Sequence, residues 1–426
     1  MTSDRQGRPG PGRLMFIGAL CLAVLGLAPA GCDGDREAGS VPDLQARGLD
    51  TTAPPAEVSG PQDTTNPPAE VAPDVPPVDP CVALPFDGIV PVDLWGPDTQ
   101  INGAAAFDGG GIWVTYNRRD VDDGSGFDVF ATRIGCDGAV LVEPFLVNEA
   151  VAFNETDPAV AVSGDTVMFA WQSDSGVAPI NLSVWYRSYF TDGTPRMAQD
   201  RILEFDPADA GAGPRAWMPA LARTDEGFAL AAAAAPEGYS GFQTWLQDLD
   251  RDGDATAAGV YLLPDPDHSQ VWPSLGASAG GALRIAWERQ HVEDPSVLQT
   301  VTRAADGISA PVVLADAVGG PSISRDTGAG VTWVATGYAP AAGQSVALFA
   351  AEATGEGPEL HVLENEGALD HTPVLASGPA LNAVAWFRNL GGLKNDLLVR
   401  AFVGDGTAPA WVGAPQVSET VFSTEN

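Results

Sequence analysis

Acidic side chains alternate along one short segment near the middle of the chain. Asp248, Asp250 and Asp252 are followed by Gly253 at the sixth position of this segment. Carboxylates at alternate positions with a glycine at the sixth are typical of calcium-binding loops. The twelfth position, which needs a bidentate Glu, is Gly259. The segment therefore predicts either a calcium site at these three aspartates or an acidic hairpin turn that binds no metal.

The remaining reactive residue types do not form a recognisable catalytic motif. The sequence has no G-x-S-x-G nucleophile motif, and its four histidines are too dispersed to indicate a zinc site. The glycines at 109–111 precede a predicted strand and not a helix, so they indicate a turn rather than a phosphate-binding loop. No catalytic residue is assigned, and calcium is the only cofactor that the sequence suggests.

The charge of the chain limits its partners. The 426 residues include 56 Asp and Glu against 21 Lys and Arg, a formal net charge of −35. A surface of this sign repels phosphate groups, so nucleic acid is excluded as a partner. Apolar residues make up 45% of the chain and charged residues 18%, so most of it can bury a core. A monomer is expected.

Residues 1–31 have the pattern of a secretory signal peptide. Three arginines precede an apolar run of about 15 residues, and small residues end it. Two processing routes stay open. Cleavage after Ala30 would release a soluble protein, whereas Ala30-Gly31-Cys32 resembles the lipobox of bacterial lipoproteins, in which Cys32 is lipidated. Pro29 departs from the lipobox, which usually has an aliphatic residue there. An uncleaved membrane anchor is the third alternative.

Residues 32–80 are predicted to form a disordered tether. Ten prolines and ten acidic residues fall within residues 33–80, so this segment is extended and cannot collapse. Such a spacer favours lipidation of Cys32 and a location in the cell envelope, anchored to a membrane through the lipid. Without lipidation, the protein would be secreted.

Two cysteines remain in the exported chain once Cys32 is lipidated. Cys81 and Cys136 would then meet in an oxidising compartment, where two cysteines indicate one disulfide. The alternative is a pair of free thiols, and the spacing of the two residues fits no metal site.

Two landmarks recur every 50 to 60 residues through the rest of the chain. The first is a proline at the start of a β-rich run. After a turn, a second β-rich run ends near a tryptophan. These prolines stand at positions 158, 219, 273, 321 and 373. The second landmark is Asp-Gly or Glu-Gly between two further β-rich runs, a strong hairpin signal because the turn needs positive φ. These pairs begin at positions 137, 192, 252, 306, 356 and 405.

Four short strands in each of about six units, with no sustained helical spacing, predict an all-β fold. A single four-stranded sheet cannot cover both of its faces, whereas stacked sheets cover one another. We therefore predict a six-bladed β-propeller of four-stranded antiparallel blades over residues 81–426, with the tryptophans between the blades. The predicted blades span residues 95–150, 151–208, 212–266, 267–317, 318–365 and 366–420.

The unit of strands, tryptophan and glycine turn over residues 95–420 resembles bacterial extracellular propellers of the sialidase-like superfamily. In such propellers the segments leading into first strands share one face with the loops joining second and third strands. The resemblance implies a ligand site on that face. Candidates from the first group are Glu155, Asp157, Arg215, Trp217, His268, Trp272, Asp370 and His371. Candidates from the second group are Arg118, Arg119, Asp120, Arg289, His291, Tyr338 and Arg388.

Several functions are compatible with these residues. Arginines, carboxylates and aromatic rings together suit a sugar or a peptide, because planar donors and rings match polar ligands with apolar faces. The leading prediction is a surface-tethered, non-catalytic propeller that binds an extracellular glycan, a peptide or an envelope protein. The alternatives are a propeller glycoside hydrolase or lyase acting on polysaccharide, a structural envelope protein, and solvated loop residues without a ligand. The nearest counterpart of the sialidase Asp-box, residues 324–333, is two residues too long and precedes the wrong strand, which counts against sialidase activity.

Overall fold

The structure is a computed structural model, and all of the residues that it describes lie in the unit Val75–Asn426. The described residues are 100–120, 126–135, 137–149, 154–174, 182–203, 215–236, 239, 241–277, 281–291, 294–316, 320–323, 332–338, 345–351, 360–362, 369–377, 382–391, 394–403 and 409–418. The predicted signal peptide, the tether, Cys32, Cys81 and Cys136 lie outside them. Within this described part, no helix has the length and hydropathy needed to cross a bilayer.

The first three sheets are four-stranded and antiparallel. Sheet 1 consists of β1 (Gln100–Phe107), β2 (Gly111–Asp120), β3 (Gly126–Gly135) and β4 (Val140–Leu146). Sheet 2 consists of β5 (Asn154–Ser163), β6 (Thr166–Asp174), β7 (Leu182–Phe190) and β8 (Arg201–Ile202). Sheet 3 consists of β9 (Ala216–Arg223), β10 (Gly227–Ala234), β11 (Gln243–Asp250) and β12 (Val260–Tyr261).

Three further sheets follow with the same order of strands. Sheet 4 consists of β13 (Ser269–Ala277), β14 (Leu283–Gln290), β15 (Val297–Ala304), β16 (Gly307–Ile308) and β17 (Val312–Asp316), and its last two strands both pair with β15. Sheet 5 consists of β18 (Ser322–Ile323), β19 (Thr332–Tyr338), β20 (Ser345–Ala351) and β21 (Leu360–Val362). Sheet 6 consists of β22 (Leu369–Ser377), β23 (Asn382–Gly391), β24 (Lys394–Val403) and β25 (Ala410–Ser418).

The sheets are arranged as the blades of a propeller, with the core between them. First strands of successive sheets contact each other, from β1 and β5 through to β18 and β22, so the first strands lie nearest the axis. Among the described residues, a separate apolar cluster fills the space between each successive pair of sheets. Strand β10 is buried on both of its faces, since Ala229 and Ala231 face sheet 4 while Leu230 and Ala232 face sheet 2. The predicted all-β fold of stacked antiparallel blades is confirmed, but only five of the six described sheets have the predicted four strands, since β17 adds a fifth strand to sheet 4.

The Asp-Gly landmarks that begin at 137, 192, 252 and 306 lie between third and fourth strands, as predicted, and those at 356 and 405 lie outside the described residues. Gly193 and Gly253 have φ values of +88° and +79°, which an L side chain rarely adopts. These two glycines also pack against the preceding sheet. A Cβ at Gly193 would lie 2.8 Å from Val142 Cγ1, and a Cβ at Gly253 would lie 2.6 Å from Met197 Sδ. At Gly193 and Gly253 the landmark is therefore a contact between sheets as well as a hairpin turn.

The landmark prolines at 158, 219, 273 and 373 lie at one structural position, and three of them stand opposite a landmark tryptophan. In β13 the pairing register shifts between Val271 and Ser274, so residues 272 and 273 together oppose the single residue Trp287 of β14. The same two-against-one bulge occurs in β5, β9 and β22, opposite Trp171, Ala232 and Trp386. Proline is accommodated here because a bulge frees one residue from donating to the ladder. Sheet 3 differs only by having alanine where the others have tryptophan.

Candidate functional site

Most of the predicted site residues lie in strands, which corrects their placement in loops. Only Arg215, His268 and His291 lie just outside strands. The second strand of each sheet is central and pairs on both sides, so its pairing continues to its end. Arg118, for example, pairs with Gln100 on one side and Asp128 on the other. The residues found in strands are Arg118, Arg119, Asp120, Glu155, Asp157, Trp217, Trp272, Arg289, Tyr338, Asp370, His371 and Arg388.

The structure brings His268, Arg289 and His291 together at one end of sheet 4. His268 Nδ1 lies 3.0 Å from Asp265 Oδ2 and 2.9 Å from an Nη of Arg289. Arg289 also donates from Nε to Asp265 Oδ2 over 3.1 Å. On the other side of the ring, His268 Nε2 lies 3.5 Å from Asp294 Oδ2, and the two imidazole centroids are 5.0 Å apart. We call these five residues the sheet 4 cluster.

The tautomer of a neutral His268 follows from the contact that its Nδ1 makes. Arg289 can only donate, so a ring that accepts this bond at Nδ1 has its proton on Nε2, towards Asp294. A ring that instead donates from Nδ1 to Asp265 has an unprotonated Nε2. In the imidazolium both nitrogens donate, Nδ1 to Asp265 and Nε2 towards Asp294.

Two acids of the cluster, Asp265 and Asp294, were missed by the sequence analysis. Burial raises the pKa of Asp265, but hydrogen bonds with His268 and Arg289 outweigh it and hold the pKa below its usual value. Asp265 also accepts the N–H of Asp267 over 3.1 Å, which closes a turn before β13. Each acid stands three residues from a histidine, and this Asp/His spacing was the available signal.

Glu155 is buried instead of facing a ligand. Its side chain is only 1% exposed, and its Oε1 accepts a hydrogen bond from Ser173 Oγ over 2.9 Å. Burial raises the pKa of Glu155 to about 8, although hydrogen bonds from Ser173 and Trp171 oppose the shift. The carboxyl is therefore protonated at neutral pH. Its hydrogen bond with Ser173 links strands β5 and β6.

Sheet 3 contributes an aromatic pair that adjoins β13, since Phe242 accepts the backbone N–H of Gln270 over 2.7 Å. The rings of Trp217 and Phe242 have centroids 4.7 Å apart and an interplanar angle of 36°. The next residue, Met218, donates its backbone N–H to Gln172 Oε1 of sheet 2 over 3.4 Å. Arg215 is exposed just before this strand. Phe242 and Met218 carry no charge and were not selected from the sequence.

The candidate residues in sheets 1 and 6 lie outside the sheet 4 cluster. The guanidinium of Arg118 lies over the ring of Phe130, 3.8 Å from its centroid, and Arg119 is exposed. Asp370 and His371 pair through their backbones with Arg388 and Phe387. For Asp120, Tyr338, Asp370 and His371 the description extends to the backbone only.

The acidic segment of sheet 3 does not fit a shared cation. Asp248 contacts Arg303 at 2.5 Å, and Asp252 contacts Arg196 at 2.7 Å. Asp250 accepts the backbone N–H groups of residues 252 and 254, each over 2.9 Å. No group of three or more metal-ligating side chains occurs among the described residues. The contacts favour the acidic hairpin turn over the calcium site predicted at Asp248, Asp250 and Asp252.

A groove of about 890 Å³ lies elsewhere, at the outer strands of sheets 2 and 3. Aromatic residues Trp185, Trp245 and Tyr261 are among the side chains that line it. No predicted site residue lines this groove. It is a concave surface separate from the sheet 4 cluster.

No protein-family model and no curated protein sequence matches the chain. Among solved structures it is similar to a protein of unknown function from Dyadobacter fermentans, at 13% identity and a TM-score of 0.50, over 71% of this chain and 93% of the other. Trypanosoma rangeli sialidase in complex with the inhibitor DANA matches at 9% identity and a TM-score of 0.48, over 72% of this chain and 55% of the sialidase. An ulvan lyase of family PL25 matches at 10% identity and a TM-score of 0.46, over 75% of this chain and 80% of the lyase.

The chain thus spans about half the length of the sialidase that it matches. At these identities the similarity concerns the fold alone. Solved structures with a similar fold include sialidases and a polysaccharide lyase.

Proposed function

We propose that the protein is an exported, non-catalytic β-propeller that binds an extracellular glycan at the sheet 4 cluster. The observation that carries this proposal is the set of contacts around His268, where Asp265 and Arg289 hold one another and the ring in a fixed arrangement. Preorganised planar donors and acceptors near the half-buried rings of Trp217 and Phe242 suit the hydroxyls and apolar faces of sugars. The six sheets are proposed to close into one ring of six blades, which would give the site a common face.

The same contacts support binding over catalysis. A glycosidase needs two carboxyl groups that face each other across the substrate. In the sheet 4 cluster the ring of His268 stands between Asp265 and Asp294, so a sugar cannot take that position. Glu155 is buried and protonated, which removes it from contact with a substrate.

A polysaccharide lyase or hydrolase is the second candidate function. It is favoured by the pairing of His268 with Asp265 beside Arg289, because an acid that orients a histidine is a common part of catalytic sites. The position of Asp294 argues against it, since its carboxylate lies 3.5 Å from His268 Nε2, the nitrogen that a lyase would need to expose to its substrate as a base.

Binding and turnover are tested together on a panel of neutral and acidic polysaccharides, with the purified full-length protein. Arg289→Ala is expected to weaken binding of the glycan that the unchanged protein binds by about tenfold or more, because charged hydrogen bonds are lost. Arg303→Ala is the matched control, since both arginines pair with an aspartate and their side chains are 28% and 23% exposed. Release of oligosaccharides during incubation would contradict the non-catalytic proposal, and equal binding by both variants would contradict the site.

We also propose that Cys32 is lipidated and that residues 32–80 tether the propeller to a membrane surface. The basic, apolar and small-residue pattern of residues 1–31 supports export, and the proline-rich acidic spacer supports a tether. In a bacterial host, Cys32→Ala is expected to move the protein from the membrane fraction to the soluble fraction, because the residue that carries the lipid anchor is lost. Unchanged membrane association of this variant would contradict lipidation and favour an uncleaved anchor.

A further inference from the structure

Three first strands share an unusual backbone at the step before their bulge proline. Asp157 in β5, Met218 in β9 and Trp272 in β13 have φ values of 50°, 54° and 50°. Each is followed directly by proline, which further restricts the residue before it to extended conformations. A left-handed tryptophan or methionine at this step is therefore strained, and the strain is repeated in three successive sheets.

A structural role alone does not explain these residue types. If the bulge only had to bend the strand, glycine would adopt the same φ without strain. The chain instead has an acid, a thioether and an indole at the three equivalent positions. The strained backbone is therefore tolerated because it keeps these three side chains at the bulge. Such strain is common where bulges redirect side chains next to functional sites.

Exposure shows what the bulge does in sheet 4. Trp272 is 37% exposed, whereas its neighbours Val271 and Leu275 are 4% and 7% exposed. The strand lies nearest the axis, where first strands of successive sheets contact each other. The bulge thus leaves part of a large aromatic ring open to solvent, four residues after His268 of the sheet 4 cluster, while its base packs against Gly320.

We propose that Asp157, Met218 and Trp272 form a row of ligand contacts, the bulge row, that selects a neutral glycan lying across sheets 2, 3 and 4. This inference rests on the proposed glycan binding and specifies its ligand class. An indole stacks on the apolar face of a sugar ring, and a carboxylate accepts hydrogen bonds from sugar hydroxyls. Asp157 and the net charge of −35 would repel a uronate or sulfate group, which leaves an uncharged glycan.

The chain supplies a matched control for strain and exposure. Leu263 has a φ of 45° and is 37% exposed, so it shares both properties with Trp272. It lies after β12 and outside any bulge. Leu263→Gly therefore relieves similar strain and removes a similarly exposed apolar side chain without changing the bulge row.

The test measures binding of neutral oligosaccharides (gluco-, xylo- and chito-oligosaccharides) and of alginate oligosaccharides to the full-length protein by titration calorimetry. Trp272→Gly is expected to lower the affinity for the bound neutral sugar by about tenfold or more, because the stacking ring is lost. Asp157→Asn, which tolerates the same backbone, is expected to weaken binding and to admit acidic sugars. Leu263→Gly is expected to leave the affinity unchanged. Thermal unfolding of each variant verifies folding, and Trp272→Asn replaces the glycine variant if that variant does not fold.

The outcomes separate this inference from the proposed function. Unchanged neutral-sugar affinity in both bulge variants would overturn the bulge row while leaving glycan binding intact. Binding of the acidic oligosaccharides alone would overturn the neutral ligand class in the same way. If the unchanged protein binds none of the sugars, the proposed function fails, and the inference fails with it.

Discussion

Replacement of Trp287 by alanine is expected to lower the free energy of unfolding by about 3–5 kcal/mol, the usual cost of emptying a site filled by a large aromatic side chain. Trp287 is fully buried and belongs to the cluster between sheets 3 and 4, with Leu275 and Ile285. It also opposes the bulge of β13, and its Nε1 donates to Gln299 Oε1 over 3.2 Å. Loss of the Trp287 side chain therefore leaves a cavity between sheets 3 and 4, and it leaves the side-chain amide of Gln299 without this hydrogen bond.

Urea unfolding followed by far-ultraviolet circular dichroism measures this loss without relying on tryptophan fluorescence. Trp185→Ala is the matched control, because Trp185 is only half-buried and lines the outer groove. A smaller destabilisation is expected for this control. An equal decrease in the free energy of unfolding for the two variants would contradict a special contribution of the tryptophans between the sheets to core stability.

Glu155→Gln is expected to stabilise the protein at alkaline pH by about 2–4 kcal/mol and to have little effect near pH 5. In the unfolded chain the carboxyl ionises near its ordinary pKa of 4.5, whereas burial raises the pKa to about 8 in the folded protein. Between these values the folded state holds a proton that the unfolded state has lost. Stability therefore falls as pH rises from 4.5 to 8, by up to about 1.4 kcal/mol per pH unit.

Glutamine keeps the shape of the protonated carboxyl and cannot ionise, so this part of the pH dependence is lost in the variant. Unfolding free energies at pH 5 and pH 8.5 measure the difference. The control is Glu226→Gln, because Glu226 is exposed in the turn between β9 and β10. Parallel pH profiles for the unchanged protein and Glu155→Gln would contradict a buried, protonated Glu155.

The fold was predictable because particular backbone conformations in it require particular residue types. A turn that needs positive φ selects glycine, and a bulge with one free N–H tolerates proline. The bulges themselves were not predictable, since a bulge exists only in the pairing between two strands. Nothing in the segment around Trp272 shows that residues 272 and 273 will oppose Trp287.

The candidate site was predictable only in part. His268, Arg289 and His291 were expected on one face and do lie together. Asp265 was missed because, with 56 acidic residues, a single aspartate carries little information without its contacts. Glu155 was expected to face a ligand, but Trp171 and Ser173 on the neighbouring strand cover it, and this cover depends on packing.

The turn glycines limit how the repeats could be recombined. Gly193 fits against Val142 and Gly253 against Met197, whereas a side chain at Gly307 would meet nothing within 4 Å. A chimera in which sheet 4 replaced sheet 3 would lose the close fit over Met197. Sheets 3 and 4 are therefore not interchangeable modules, and their order along the chain is part of the fold.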